Sequence, residues 1–363
     1  MAAAAFTVLS AFGTAAAADT ATHVTTHAWA ASGDAAGSIT QADASIHAEA
    51  AAATTEPGDN RYIQQLVNGL VFGLLLALAS VGLSLIYGTT GLSNFAHGEQ
   101  VSLGALLCFF FTTQQPVSLP LIPVEFTIGW PLIPSAIAAI AVAAGTGWLQ
   151  DKFLWSPLRR RRVSTVQQMI VSIGLSLALV NFIQWWFGAE RQRLSTSIDS
   201  RIDLGIFTIG QSTLWSLAIS LACLGGVAYF LMRTRTGRAT RAVSDNPALA
   251  SASGIRVDKV VRLVWILATG LAAVGGILLA LYDNAAAFDV GARLLLLMFA
   301  AVTLGGLGHP FGALVGSLVI GVAVEMSTIW VGTDLKYAVA LGILILVLLV
   351  RPQGILGRAE RVG

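Results

Sequence analysis

Apolar residues in this chain neither alternate with polar ones at the strand period of two nor mark a single face of a helix; they fill long unbroken runs. Nine runs stand out, at 62–87, 95–113, 128–149, 163–187, 212–232, 263–282, 294–307, 309–331 and 335–350, and only Glu99, Glu325 and Lys336 are charged within them. A hydrocarbon layer about 30 Å thick needs about 20 helical residues at about 1.5 Å each, which most of these runs supply. Barrel strands would show a two-residue alternation, so the expected fold is all-α: a polytopic transmembrane helical bundle of about 8–10 spanning or half-spanning helices. The run at 294–307 is short for a crossing and Gly punctuates several others, so half-helices are expected among them.

Composition agrees with lipid as the main solvent. The 363 residues include 21 Lys+Arg and 19 Asp+Glu, or 11% charged against about 25% in soluble domains, and the mean hydropathy is +0.75. The net charge of +2 conceals an uneven distribution: residues 1–60 hold six acidic and no basic residues, and residues 61–363 hold 13 acidic and 21 basic. Five basic residues fall at 152–162, seven at 233–262 and three at 351–361. Placing these segments in the cytoplasm puts the C-terminus inside and, with an odd number of crossings, the N-terminus outside a cell inner (plasma) membrane. No basic stripe carries the interleaved aromatics that single strands need, so nucleic acid is not an expected partner; membrane lipid is.

Two domains follow. Residues 1–60, with 22 Ala, read as a signal-like segment and a disordered extracytoplasmic tail. Ala16, Ala17 and Ala18 before Asp19 resemble a cleavage site, although the positive start of a signal peptide is missing. His23, His27 and His47 in the tail read as solvated side chains. Residues 61–363 form the membrane domain, with a cytoplasmic segment at 233–262. Within that segment, 240–253 is rich in small residues and closes on Gly254, the pattern of a short surface helix with a Gly stop. Such a helix either docks a partner or simply connects two spans.

Candidate chemistry lies in two Gly-interrupted segments. One runs from Gly88 through Gly91, Asn94, His97 and Gly98 to Glu99; the other holds Gly305, Gly306, Gly308, His309 and Gly312. Unwound backbone at membrane depth is tolerated where it faces protein or water, so Asn94, His97, Glu99, Gly305, Gly306, Gly308 and His309 are candidates for a translocation path, with close helix packing as the alternative. Glu99 within a bilayer costs about 2.5–3.5 kcal/mol unless it is paired or hydrated. It reads either as a path residue or as a clasp on the local backbone. No catalytic motif is present, and without GxxxxGK[ST] the chain has no phosphate-binding loop of its own. Cys108 and Cys223 sit in apolar runs as packing residues, and neither metal nor cofactor is expected in this chain.

At Asn94-Phe95-Ala96-His97-Gly98-Glu99, after Asn68-Gly69-Leu70, the sequence resembles permease subunits of branched-chain amino acid ABC importers. Trp155-Ser-Pro157-Leu158-Arg159, Gly237-Arg238, the stretch from Ala250 to Ile255, Leu304-Gly305-Gly306-Leu307-Gly308 and the end from Leu346 to Arg358 are similar, in the family's order. The resemblance implies a non-enzymatic import subunit for branched-chain or other amino acids. Its partners would be a second permease chain (homologous, or another copy of this one), two cytoplasmic ATPases that bind the ATP, and an extracytoplasmic substrate-binding protein. It also implies that the segment ending at Gly254 is the coupling helix seated on the ATPase, with Ala242, Asp245, Asn246 and Ala250; Asp245 and Asn246 are placed to start or cap it. Leu297 and His309 depart from the family, which often has Lys and Ser there, and this leaves urea or short amides as alternative cargo. A stand-alone carrier using Glu99 and Glu325 is the reading from a different class.

Overall fold

The computed structural model describes residues 58–114, 117–119, 122–126, 128–194, 200–203, 207–332, 335–350, 354 and 355. The signal-like stretch, the tail histidines and part of the final motif, 351–353 and 356–358, lie outside these residues. Each of the nine apolar runs is a helix: α1 (Gly58–Thr90), α2 (His97–Thr112), α3 (Leu132–Gln150), α5 (Thr165–Phe187), α6 (Gln211–Arg233), α9 (Val257–Tyr282), α10 (Val290–Gly305), α11 (Pro310–Ser327) and α12 (Lys336–Val350). Shorter helices α4 (Ser156–Arg160), α7 (Arg235–Asp245) and α8 (Pro247–Ala252) lie between them. Among the described residues six helices have the length and apolarity to cross a membrane, and the chain is a multi-pass membrane protein. Two antiparallel hairpins in the connections, β1 (Val117–Leu119) with β2 (Ile122–Phe126) and β3 (Arg201–Asp203) with β4 (Thr208–Gly210), were not legible as strands because they are so short.

The bundle is built around α1 and α9. The most apolar window of α1 is 89% buried and that of α9 78%, against 11% for α5 and 22% for α3 and α6, which form the periphery. Small residues let the central helices touch backbone to backbone: a Cβ on Gly73 would lie 2.9 Å from the Ser317 carbonyl oxygen and 3.0 Å from Leu318 Cα of α11. Backbone cannot yield as a flexible side chain can. Gly73→Val is therefore expected to cost about 3 kcal/mol through overpacking and to lower folded yield and the thermal midpoint in detergent. An unchanged midpoint would show that α1 and α11 can separate freely.

One end of the bundle is basic. There α3 passes through a π-helical turn, Asp151–Trp155, into α4, and Trp155 stacks on Trp265 of α9 with ring centres 5.3 Å apart. Asp151 is wholly buried and accepts from Arg159 Nη2 at 2.6 Å and from Arg262 Nε at 3.1 Å, tying α3 and α4 to α9. The two guanidiniums are partly exposed, so removing the carboxylate leaves them access to water. Asp151→Asn should cost about 2 kcal/mol, the scale of a lost charge-assisted hydrogen bond, read as a lowered thermal midpoint; no change would mean the clamp is dispensable.

Candidate functional site

The α1–α2 connection brings together the first group of candidates. After α1 ends at Thr90 the chain turns back into the bundle. Asn94 Oδ1 accepts from the Ala96 N–H at 3.2 Å, its carbonyl accepts from the His97 N–H, and α2 begins at His97. Asn94, His97, Glu99 and Gln100 are all buried, with exposures of 0–1%. His97 Nε2 lies 3.0 Å from the Ala79 carbonyl on α1; since a carbonyl only accepts, Nε2 carries the proton. Glu99 Oε1 accepts from Ser176 Oγ of α5 at 3.1 Å, and Gln100 Oε1 accepts from Thr146 Oγ1 of α3 at 3.0 Å. Among the described residues Asn94 Nδ2, His97 Nδ1, Glu99 Oε2 and Gln100 Nε2 have no protein partner. Four unmatched polar atoms within seven residues form an unusual concentration, because buried polar groups are nearly always satisfied. The helix that carries three of them has 16 residues, about 24 Å, and starts beside Ala79, well inside α1. Sequence reasoning missed Gln100, Ser176 and Thr146; nothing in the local pattern joins the latter two to Glu99.

Gly305, Gly306, Gly308 and His309 lie elsewhere. Gly308 packs on Gly88, whose added Cβ would sit 2.8 Å from the Gly308 carbonyl oxygen and 2.9 Å from Ser244 Oγ of α7. Along α1, Gly88 is nine residues beyond Ala79, roughly 14 Å by helix rise. The polar part of the first segment, Asn94 to Glu99, thus lies within the bundle, whereas its Gly88 meets Gly308 of the second segment at the basic end. At the latter, Gly305 and Gly312 face each other so closely that a Cβ on either would collide with the other's carbonyl. His309 is the N-cap of α11, its carbonyl accepting from the Ala313 N–H at 2.9 Å, while its own N–H donates back to the Gly306 carbonyl at 3.2 Å. The Ile355 N–H donates to the Leu304 carbonyl at 2.7 Å, pinning the chain that follows α12 to the same loop.

The expected single surface helix at 240–253 is two helices. Pro247 has no N–H and holds the preceding residue out of the helical region, so Asn246 is extended at φ −159°, ψ 102°, ending α7 and starting α8. Asn246 Oδ1 accepts from the Leu249 N–H at 3.0 Å, the expected cap, whereas Asp245 is the last residue of α7. Gly254, at φ +84°, lets the chain leave α8, with the Ile255 N–H returning to the Ala250 carbonyl at 3.0 Å. Ala250 faces the bundle and Ala242 is half-buried against it, while Asp245, Asn246 and Gly254 are exposed. The residue that sequence reasoning passed over is Leu249, 68% exposed at the tip of the basic end. At the opposite end of α9, burial raises the Asp283 carboxyl above its ordinary range, against the opposing pull of Lys336, Arg191 and Arg293.

The family described as branched-chain amino acid transport system / permease component matches residues 65–348. The high-affinity branched-chain amino acid transport system permease protein LivH of Escherichia coli (strain K12) is 30% identical over 82% of this chain and 96% of its own length. The corresponding protein BraD of Pseudomonas aeruginosa is 31% identical over 82% of this chain and 97% of its own. The ribose import permease protein RbsC of Escherichia coli (strain K12) is 26% identical over 71% and 76% respectively. No solved structure matches the chain significantly. The matched region runs from α1 to α12 and takes in both Gly-interrupted segments and the α7–α8 pair, and the chain belongs to the branched-chain amino acid transport permease family.

Proposed function

We propose that the chain is the membrane-spanning subunit of an ATP-driven importer for branched-chain amino acids, with its basic end in the cytoplasm, the C-terminus inside and the N-terminus outside. The observation that carries the transport reading is the buried set Asn94, His97, Glu99 and Gln100 at the start of the interrupted helix α2, with polar atoms that the protein itself leaves unmatched. A zwitterionic substrate needs an anion for its ammonium and donors for its carboxylate, and this set supplies both: Glu99 for the first, the Asn94 and Gln100 amides for the second.

The α7–α8 pair is the contact for a cytoplasmic ATPase. Ser244 of α7 lies against Gly88, which in turn packs on Gly308, so a push on α7 bears on the end of α1 and through it on the 305–309 loop. This assigns Gly305, Gly306, Gly308 and His309 to transmission, with Asn94, His97 and Glu99 on the path. Driving energy enters as the difference in ATPase affinity for two arrangements of the bundle. A second permease chain completes the membrane unit, and a binding protein delivers substrate from outside.

Uptake of radiolabelled leucine into vesicles holding the permeases, ATPases and binding protein tests this reading. Collapsing the proton gradient with a protonophore should leave uptake intact, and depleting ATP should abolish it. The reverse pattern would replace the ATP-driven importer with an ion-coupled carrier.

A further inference from the structure

At the basic end, apart from both candidate sites, Lys152, Ser156, Pro157, Arg160, Arg161 and Arg262 line a pocket of about 490 Å³, within the size range of small-ligand sites. We infer that this pocket binds the phosphate headgroup of an anionic phospholipid.

The charge inventory comes first. Three guanidiniums and one ammonium face the pocket. The neighbouring carboxylates neutralise them only in part: Asp151 is wholly buried and shared between Arg159 and Arg262, so of the lining cations it engages Arg262 alone. Asp258 reaches Arg160 only at 3.8 Å, and both side chains are more than half exposed, a pair of little strength. Among the described residues Lys152 and Arg161 form no ion pair. Guanidinium forks match phosphate oxygens two at a time, and the Ser156 hydroxyl adds a neutral group.

Geometry separates a lipid from a free anion. The pocket adjoins the end of α3 and the π-helical turn after it, where Trp148, Leu149 and Phe153 are exposed on the bundle's flank. Lys152 Nζ lies 4.5 Å from the Trp148 ring centre and 5.2 Å from that of Phe153, so the ammonium bridges the pocket and the aromatic flank. Exposed aromatics next to basic residues mark the boundary between hydrocarbon and headgroups. A phosphate held here has an apolar surface directly beneath it, continuing along α3 through Val142, Ile137 and Ile133, on which acyl chains can lie. Basic pockets between helices at this depth suit anionic headgroups. The inference does not depend on the orientation of the chain, since both faces of a bilayer present headgroups. Once seated, the lipid would bridge α3 and α4 to the start of α9.

The test is lipid retention. The protein is purified from membranes and reconstituted with equal phosphatidylglycerol and phosphatidylcholine, then delipidated stepwise and examined by native mass spectrometry. One phosphatidylglycerol per chain should survive after the bulk lipid is gone, and the triple variant K152Q/R160Q/R161Q, which leaves the Asp151 clamp whole, should retain at least tenfold less. Equal retention of the two lipids, or unchanged retention in the variant, would overturn the proposal. If the variant does not fold, the wild-type protein alone decides: short-chain phosphatidylglycerol should raise its thermal midpoint saturably and short-chain phosphatidylcholine should not, and no difference between them would refute the site. Inorganic phosphate at millimolar concentration should not displace the lipid; displacement would make the ligand a soluble anion. Loss of ATPase association in the triple variant with lipid retention unchanged would make the pocket a protein-docking surface and end the lipid reading.

Discussion

Leu249→Asp is expected to abolish co-purification of the ATPase with this chain while leaving folded yield in the membrane unchanged. Leu249 is the large apolar residue on α8 and is 68% exposed, so the fold loses little when it changes. An exposed apolar side chain at the tip of a short helix, rimmed by Ala248, Ser251 and Ala252, has the form of an anchor for a narrow cleft. Anchors of this kind are worth about 2 kcal/mol or more when removed, about a thirtyfold loss of affinity, and a buried carboxylate in their place costs further. Leu249→Ala should therefore give an intermediate loss and Leu249→Met almost none. Gly254→Ala serves as the control for backbone geometry. Its Cβ meets no atom within 4 Å, but φ +84° costs a non-Gly residue about 1–2 kcal/mol, which loosens the exit from α8 without altering the apolar anchor. Full ATPase retention in Leu249→Asp would remove α8 from the docking surface.

That Leu249 escaped notice while Ala250 did not illustrates what a sequence of this kind displays. The nine apolar helices were legible because a long apolar run has few alternatives, and errors there are confined to ends: α10 starts at Val290, four residues before its apolar run, because Gly291 packs against Gly98 and needs no apolar side chain. Within α7–α8 the amphipathic period is too short to fix which face is inward, so Ala250 and Ala242 looked like contact residues when both turn toward the bundle. Pro247 was the available signal for the break after Asn246.

The interior site divides in the same way. The cluster of Asn94, His97 and Glu99 was visible because polar residues interrupt apolar sequence, whereas Ser176 and Thr146 reach it from α5 and α3 across a tertiary contact that no spacing encodes. The second Gly-rich segment looked equivalent to the first because both precede an apolar helix. The contacts differ, the Ala79 carbonyl for His97 and Gly88 for Gly308, which places Asn94 to Glu99 within the bundle and the 305–309 loop against the end of α1, where Gly88 also borders Ser244 of α7. Asp151, a lone acid before the basic run at 152–162, is likewise completed by Arg262 from α9, a partner that no local spacing encodes.

Glu99→Gln should lower leucine transport between about tenfold and a hundredfold, the equivalent of the 1.5–3 kcal/mol that a hydrogen bond to a charged group contributes, with folded yield and ATPase association preserved. The substitution keeps the shape and the acceptor for Ser176 Oγ and removes only the charge. If Glu99 merely clasps α2 to α5, Glu99→Gln keeps that link and Ser176→Ala removes it, and in both variants transport should fall no further than the amount of folded protein. On the path reading the two separate: Ser176→Ala destabilises by about 1–3 kcal/mol because it leaves a buried carboxylate oxygen without its donor, yet the surviving folded protein transports at near wild-type rate, whereas Glu99→Gln is stable and slow. The double variant sharpens the distinction. Removing the hydroxyl is expected to be milder beside a neutral amide than beside a carboxylate, so stability should recover relative to Ser176→Ala alone while transport remains at the Glu99→Gln level. Transport per folded molecule that tracks wild type in Glu99→Gln would assign the carboxylate to structure and leave the path to Asn94, His97 and Gln100.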